Sequence, residues 1–271
     1  MTHGTLDAPR NQKPIDPAVA DLPESRWRRL RAYNVGMGSL HLIQGLIILA
    51  LANGFALPVT ATFLSGPPGG EAQSLTSLFD LPIGPAVAVF LFMSAAAHFI
   101  VSVPGVFGWY RSNLKYDRNY ARWIEYSFSS SLMVVLIAML SGISDIAALL
   151  AIAGVNAMMI LFGWIMEKYE SPGRPSWMAY WFGVIAGAIP WIAIFIYLIS
   201  PTSDVAAPTF VWWIFFSLFV FFNAFAVNMV LQYRQTGPWR SYLFGENAYI
   251  LLSLVAKSLL AWQIFASTLV T

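Results

Sequence analysis

Leu252-Ser253-Leu254-Val255-Ala256-Lys257-Ser258-Leu259-Leu260-Ala261-Trp262-Gln263-Ile264-Phe265 is an apolar run with a single charge in its middle. A helix crosses a bilayer with roughly 20 apolar residues, and the surrounding stretch, 246–269, is that long. A lysine so deep in hydrocarbon costs about 3 kcal/mol even on a lenient insertion scale, so it is expected to have a partner and a purpose. Reading outward from it, the chain alternates apolar stretches with short polar breaks. Seven such stretches occur, at approximately 33–54, 83–107, 119–141, 143–166, 178–200, 207–232 and 246–269.

Composition agrees with a membrane as solvent. Of 271 residues 58% are hydrophobic and only 10% charged, too little polar surface for a soluble globule. The chain has no cysteine, which excludes disulfides, thiolate metal sites and cysteine nucleophiles. It has three histidines, and neither intramembrane one has a second histidine or a carboxylate at helical spacing on its own segment, so no metal site is expected. Neither enzyme chemistry nor nucleic-acid binding is indicated.

Residues 1–25 are polar, proline-containing and without apolar period, and are expected to form a disordered arm ahead of a membrane domain over 26–271. The connection 55–82 combines the β-branched run Leu57-Pro58-Val59-Thr60-Ala61-Thr62-Phe63-Leu64 with Ser65-Gly66-Pro67-Pro68-Gly69-Gly70, which predicts a small β-hairpin outside the bilayer. Of the fifteen lysines and arginines, six precede span one, four lie at the second-to-third connection, two between spans four and five, and two between spans six and seven. The opposite face receives none, while Glu71, Asp80, Asp145 and Asp204 fall there. The positive-inside rule places the amino terminus in the cytoplasm and the carboxyl terminus outside. The expected fold is thus an all-α seven-transmembrane-helix bundle in the cell membrane, with its hairpin in the first extracellular loop.

Glu125 is the one acidic residue that falls clearly inside a predicted span, and Lys257 the one basic residue deep in one. Helical side chains lean toward their own amino terminus, so the lysine stem reaches toward Glu125. Two readings stay open here. The pair is either a structural ion pair, or Lys257 is an imine-forming amine with Glu125 as counterion, since a desolvated lysine can lose its proton and attack an aldehyde.

Arg122-Trp123-Ile124-Glu125-Tyr126 resembles the third-helix signature of microbial rhodopsins. The wider text is closer still to the heliorhodopsins: Glu125-Tyr126-Ser127-Phe128-Ser129-Ser130-Ser131, Gly154-Val155-Asn156 through Leu161-Phe162-Gly163-Trp164, and Leu252 through Phe265 all look like that family, and the likeness covers essentially all seven spans. The resemblance implies all-trans retinal as cofactor, held as a Schiff base on Lys257 with Glu125 as counterion. It also implies a cytoplasmic amino terminus, reached independently above, and a homodimer, for which spans four and five with the outer hairpin are the expected interface. Gly183-Val184-Ile185-Ala186-Gly187 is a small-xxx-small pattern suited to close helix approach. Where ion-pumping rhodopsins place an aspartate one turn before the lysine, this chain has Ser253, whose hydroxyl can hydrogen-bond near the imine but cannot balance its charge.

An apolar slot for the chromophore is expected from Tyr126, Met159, Phe221 and Phe222, with Ser130, Asn156 and Trp262 added, and Pro190 beside Trp191 is expected to kink span five toward it. His41 and Gln44, and Ser94 and His98, share helical faces and are expected, with Asn119, to line a polar cavity between Glu125 and the cytoplasm, where histidines could hold a proton. One intramembrane carboxylate is too few for a proton pump. A light-sensing protein that passes a conformational signal to a cytoplasmic partner is therefore expected; a light-gated channel and a retinal-independent carrier or scaffold are the alternatives.

Overall fold

A computed structural model describes residues 15–68, 74–199 and 206–269. Two short helices, α1 (Pro17–Ala20) and α4 (Pro104–Leu114), accompany α2 (Glu24–Leu51), α3 (Ile83–Ser102), α5 (Tyr120–Leu140), α6 (Ile146–Tyr169), α7 (Met178–Ile199), α8 (Thr209–Tyr233) and α9 (Tyr242–Ile264). The last seven are the helices long and apolar enough to cross a membrane. In hydrocarbon no water satisfies a backbone N–H or C=O, so apolar runs of this length close their hydrogen bonds internally. Spans α2, α3, α5, α6 and α7 pack in sequence, α8 packs on α9, and α9 returns to α2. Of the consecutive spans, α7 and α8 make the least contact.

Several boundaries differ from expectation, each for a local reason. Helix α2 starts at Glu24 and takes in the basic cluster: Trp27 and Leu30 are buried while Arg26, Arg28 and Arg29 stay exposed. The Arg31 Nε donates to the Ser102 carbonyl at 2.7 Å, satisfying one of the orphan acceptors at the end of α3. The disordered-arm reading does not hold for residues 15–25, where the Asp16 N–H donates to the Lys115 carbonyl at 2.8 Å and Val19 is buried; residues 1–14 lie outside the described residues. Span two stops at Ser102 rather than 107, because Val103 precedes Pro104 and is extended (φ −64°, ψ 136°), as the proline ring requires of its neighbour. Helix α9 begins at Tyr242, four residues early, and so carries Glu246 into the bundle.

The predicted hairpin is present as β1 (Ala56–Thr62) and β2 (Leu75–Pro82), antiparallel with an irregularity between Val59 and Thr60. Thr60 N–H donates to the Ser144 carbonyl at 2.9 Å, and the two hydroxyls are 2.9 Å apart, so the hairpin is tied to the α5–α6 turn. Asp80 and Asp145 lie at this end of the bundle; Glu71 and Asp204 lie outside the described residues. Helix α7 runs unbroken through Pro190. Its Gly183 and Gly187 face α6 inside the same chain, a Cβ at Gly187 meeting Met159 Sδ at 2.5 Å. The glycine face is thus spent on intramolecular packing, and the outward face of α7 carries Trp181, Ile185 and Ile192.

Asp145 caps α6, its Oδ1 accepting from the Ala147 and Ala148 N–H groups at 2.9 and 3.1 Å. Asp145→Ala is expected to cost about 1 kcal/mol and to lower the thermal unfolding midpoint of the detergent-solubilised protein; an unchanged midpoint would contradict the cap's contribution.

Candidate functional site

Lys257 and Glu125 meet. Their side chains are only 4% and 8% exposed, and Lys257 Nζ donates to Glu125 Oε1 at 2.9 Å and Oε2 at 3.3 Å. One turn earlier on α9, the Ser253 Oγ accepts from the same Nζ at 3.0 Å. Across the site, Ser94 on α3 donates to Glu125 Oε1 at 2.7 Å, and the Tyr126 ring lies 5.0 Å from Nζ. Breaking a buried pair by removing one partner costs several kcal/mol, so each group is held by the other.

An apolar cavity opens at this lysine. A portion of about 50 Å³ is lined by Lys257, Ser253, Ser130, Tyr126, Met159 and Phe222 among others. It shares Tyr126, Met159, Ile160, Phe222 and Phe225 with a larger portion of about 250 Å³ that runs to the gap between α7 and α8. Together they approach the roughly 300 Å³ at which small-molecule sites begin. Their walls include Trp191, which meets Phe215, Phe219 and Phe222 edge-on at 5.4–5.5 Å, and Trp123, whose ring fills the space a Cβ at Gly163 would take. The apolar, aromatic lining suits a hydrophobic cofactor.

Of the expected slot residues, Tyr126, Ser130, Met159 and Phe222 line this cavity. Asn156 stands behind it, its Nδ2 donating to the Ser130 and Ser131 hydroxyls at 2.8 and 3.1 Å. Phe221 packs against the core instead. Trp262 does not belong to it: its Nε1 donates to Gln44 Oε1 at 2.9 Å on the α2–α9 seam. That bond also removes Gln44 from the expected polar cavity. The residues sequence reading missed are Trp123, Ile160, Trp191, Phe225 and Tyr249; in a chain with 15% aromatics nothing distinguishes them from lipid-facing neighbours.

A second, polar cavity of about 40 Å³ lies between Glu125 and the basic end of the bundle, lined by Asn34, Ser94, His98, Tyr110, Asn119, Arg122 and Glu246 among others. His98 Nδ1 is 2.8 Å from Asn34 Oδ1. His41 is fully buried and stacks on His98 with centroids 5.8 Å apart, and neither of its ring nitrogens has a hydrogen-bond partner among the described residues.

Glu125 is not the only acid inside. Arg122 on α5 pairs with both Glu167 near the end of α6 and Glu246 near the start of α9, and all three are buried. Asn119 N–H donates to Glu167 Oε2 at 2.8 Å and Tyr242 OH to Glu167 Oε1 at 2.9 Å, while Trp123 Nε1 also donates to Glu167. Glu246 Oε1 accepts from Asn119 Nδ2 at 2.5 Å and from Tyr110 OH at 3.4 Å. The Arg122 guanidinium sits 4.1 Å from the Tyr249 ring centroid. The expectation of one intramembrane acid and one deep base fails because each of these three charges is read as the edge of a span. No local spacing signals the cluster, because its members come together only when α5, α6 and α9 pack.

The family model described as Heliorhodopsin matches residues 30–269. Among solved structures, a light-driven proton pump from Leptosphaeria maculans is similar over 95% of this chain and 96% of its own, at 14% identity and a TM-score of 0.61. The rhodopsin of Exiguobacterium sibiricum is similar over 90% and 96%, at 15% identity and a TM-score of 0.58. At these identities the two structures speak to the fold alone. No curated protein matches the chain.

Arg122→Ala is expected to leave two buried carboxylates without their cation and to destabilise the protein by about 3–5 kcal/mol, read as a large fall in thermal unfolding midpoint. Wild-type stability in this variant would show that the cluster is not a buried ionic unit.

Proposed function

The chain belongs to the heliorhodopsin family, and from that membership we propose that it senses light and answers with a conformational signal rather than with ion transport. It is a light-responsive, multi-pass membrane protein whose cofactor is retinal. Bound retinal supplies a chromophore that absorbs visible light and isomerises.

In this reading Lys257 Nζ holds all-trans retinal as a protonated Schiff base, and Glu125 is its sole carboxylate counterion. The observation that carries it is the buried Lys257 amine at the closed end of the apolar cavity, 2.9 Å from Glu125. A free ammonium donates three hydrogen bonds, here two to Glu125 and one to Ser253. With retinal joined to it as an imine, the carbonyl oxygen leaving as water, Nζ would keep one N–H, and the carboxylate, as the charged acceptor, would be the stronger claimant. Ser253 is then released to donate its own proton to an acceptor, and Ser94 continues to orient Glu125.

Transport is disfavoured by what lies beyond Lys257 toward the hairpin. Val134, Leu136, Ile137, Ala138, Leu260, Ala261 and Ile264 are buried there in one apolar cluster, and no buried carboxylate interrupts it among the described residues. The buried charged side chains of the Arg122 cluster lie instead toward the basic end, which by the positive-inside rule faces the cytoplasm. His98 lines the polar cavity there, while His41, expected to line it too, stacks on His98 from outside its lining. A change of charge at Lys257 would shift helix packing near Glu167, Lys168 and the α4–α5 link, where a cytoplasmic signalling partner would read it. The exposed apolar faces of α6 and α7, with the hairpin, are the surface offered to a second copy; Leu150 and Ile185 are 65% and 64% exposed.

Adding all-trans retinal to the purified protein should give a visible absorption band that hydroxylamine bleaches in light, and Lys257→Ala should give none. Colour that survives loss of the amine would end the proposal. Glu125→Gln should fold, bind retinal and absorb at a shifted maximum; a spectrum identical to wild type across a pH titration would remove Glu125 from the counterion role.

A further inference from the structure

Two cavities meet the Arg122 cluster from opposite sides. Glu246 lines the inner polar cavity that also contains Glu125, whereas Glu167 lines a separate cavity of about 240 Å³ at the basic surface, with Asp16, Asp117 and Arg240. With both carboxylates ionised, one guanidinium faces two negative charges, leaving a net charge of −1 in a buried site. A single added proton makes the cluster neutral, and a buried net charge is the costlier state.

We propose that Glu246, supported by Arg122 and Glu167, is a proton-accepting site for the inner cavity, taking up the proton that leaves Lys257 in the light. The inference rests on the Lys257 reading above. An N–H bond at Lys257 Nζ breaks as an O–H bond forms on Glu125, its 2.9 Å neighbour. An O–H bond then breaks on Glu125 and forms on Glu246, and no electron changes hands. The inner cavity, at about 40 Å³, exceeds the roughly 10–15 Å³ that one water needs, and its polar lining supplies the partners for such a bridge.

The groups facing Glu246 are Tyr110 from α4, Asn119 and Arg122 from α5, and Glu167 from α6. On α9 itself, Tyr242 is bonded to Glu167 and Tyr249 packs on Arg122. From α8, Tyr233 reaches the neighbouring Met166 carbonyl. His98 on α3 is the competing acceptor in the inner cavity, with Nδ1 already against Asn34. Glu246 differs from it in sharing one guanidinium with a second carboxylate, so that a single proton there makes the Arg122 cluster neutral.

Light-induced infrared difference spectra of the retinal-loaded protein test this. Wild type should gain a carboxylic C=O stretching band, and Glu246→Gln should lose it while keeping the wild-type dark absorption spectrum. Glu246→Asp should displace the band, which guards against simple misfolding of the glutamine variant. In the retinal-free protein, an infrared pH titration should convert one more buried carboxylate to acid in wild type than in Glu246→Gln. A band that persists in Glu246→Gln, or that His98→Asn removes and Glu246→Gln does not, overturns the site. A wild-type protein that takes no colour from retinal overturns the Lys257 reading instead.

Discussion

Two cations held inside an apolar bundle govern this molecule. The Lys257 ammonium and the Arg122 guanidinium can stay in the low-dielectric interior only because carboxylates from other helices meet them. Lys257 binds α9 to α5 through Glu125, and Arg122 binds α5 to both α6 and α9. Three helices are therefore fixed relative to one another by charge, and the remaining spans pack around that frame. The apolar cavity follows from it: α5 and α9 are drawn together at Lys257, while α7 and α8 diverge on the other side.

The same distribution makes the bundle electrically lopsided. From Glu125 to the basic end the interior holds histidines, amides, hydroxyls and the Arg122 cluster. From Lys257 to the hairpin it holds a large apolar cluster, with no buried carboxylate among the described residues. Among the described residues, buried charged partners for Lys257 thus lie in one direction only.

Much of this was legible in the text. The spans are visible because nothing else keeps roughly 20 apolar residues together, and Lys257 because a lysine stands out against that background. Ser253 and Lys257 share a face at i and i+4, and Ser94 and His98 do likewise, so local spacing exposed them. The hairpin announced itself through β-branched residues and glycine-proline punctuation. What stayed hidden depends on helix ends and on neighbours far apart in sequence. Glu246, Glu167 and Arg122 each lie near the edge of an apolar stretch, where a charge is ordinary, and only the packed bundle puts them at one depth. Val103-Pro104 shortened a span that hydropathy alone runs through. Gln44 and Trp262 found each other across 218 positions, a pairing no periodicity encodes.

The two ends of the bundle are fastened by different chemistry. At the hairpin end, β1 reaches over the α5–α6 turn and joins it through a main-chain bond at Thr60, a linkage indifferent to protonation. At the other end, α5, α6 and α9 are clasped by ionised side chains, Arg122 against Glu167 and Glu246. The main-chain joint at the hairpin end holds whatever the pH, whereas the ionic clasp at the basic end holds only as long as its charges do.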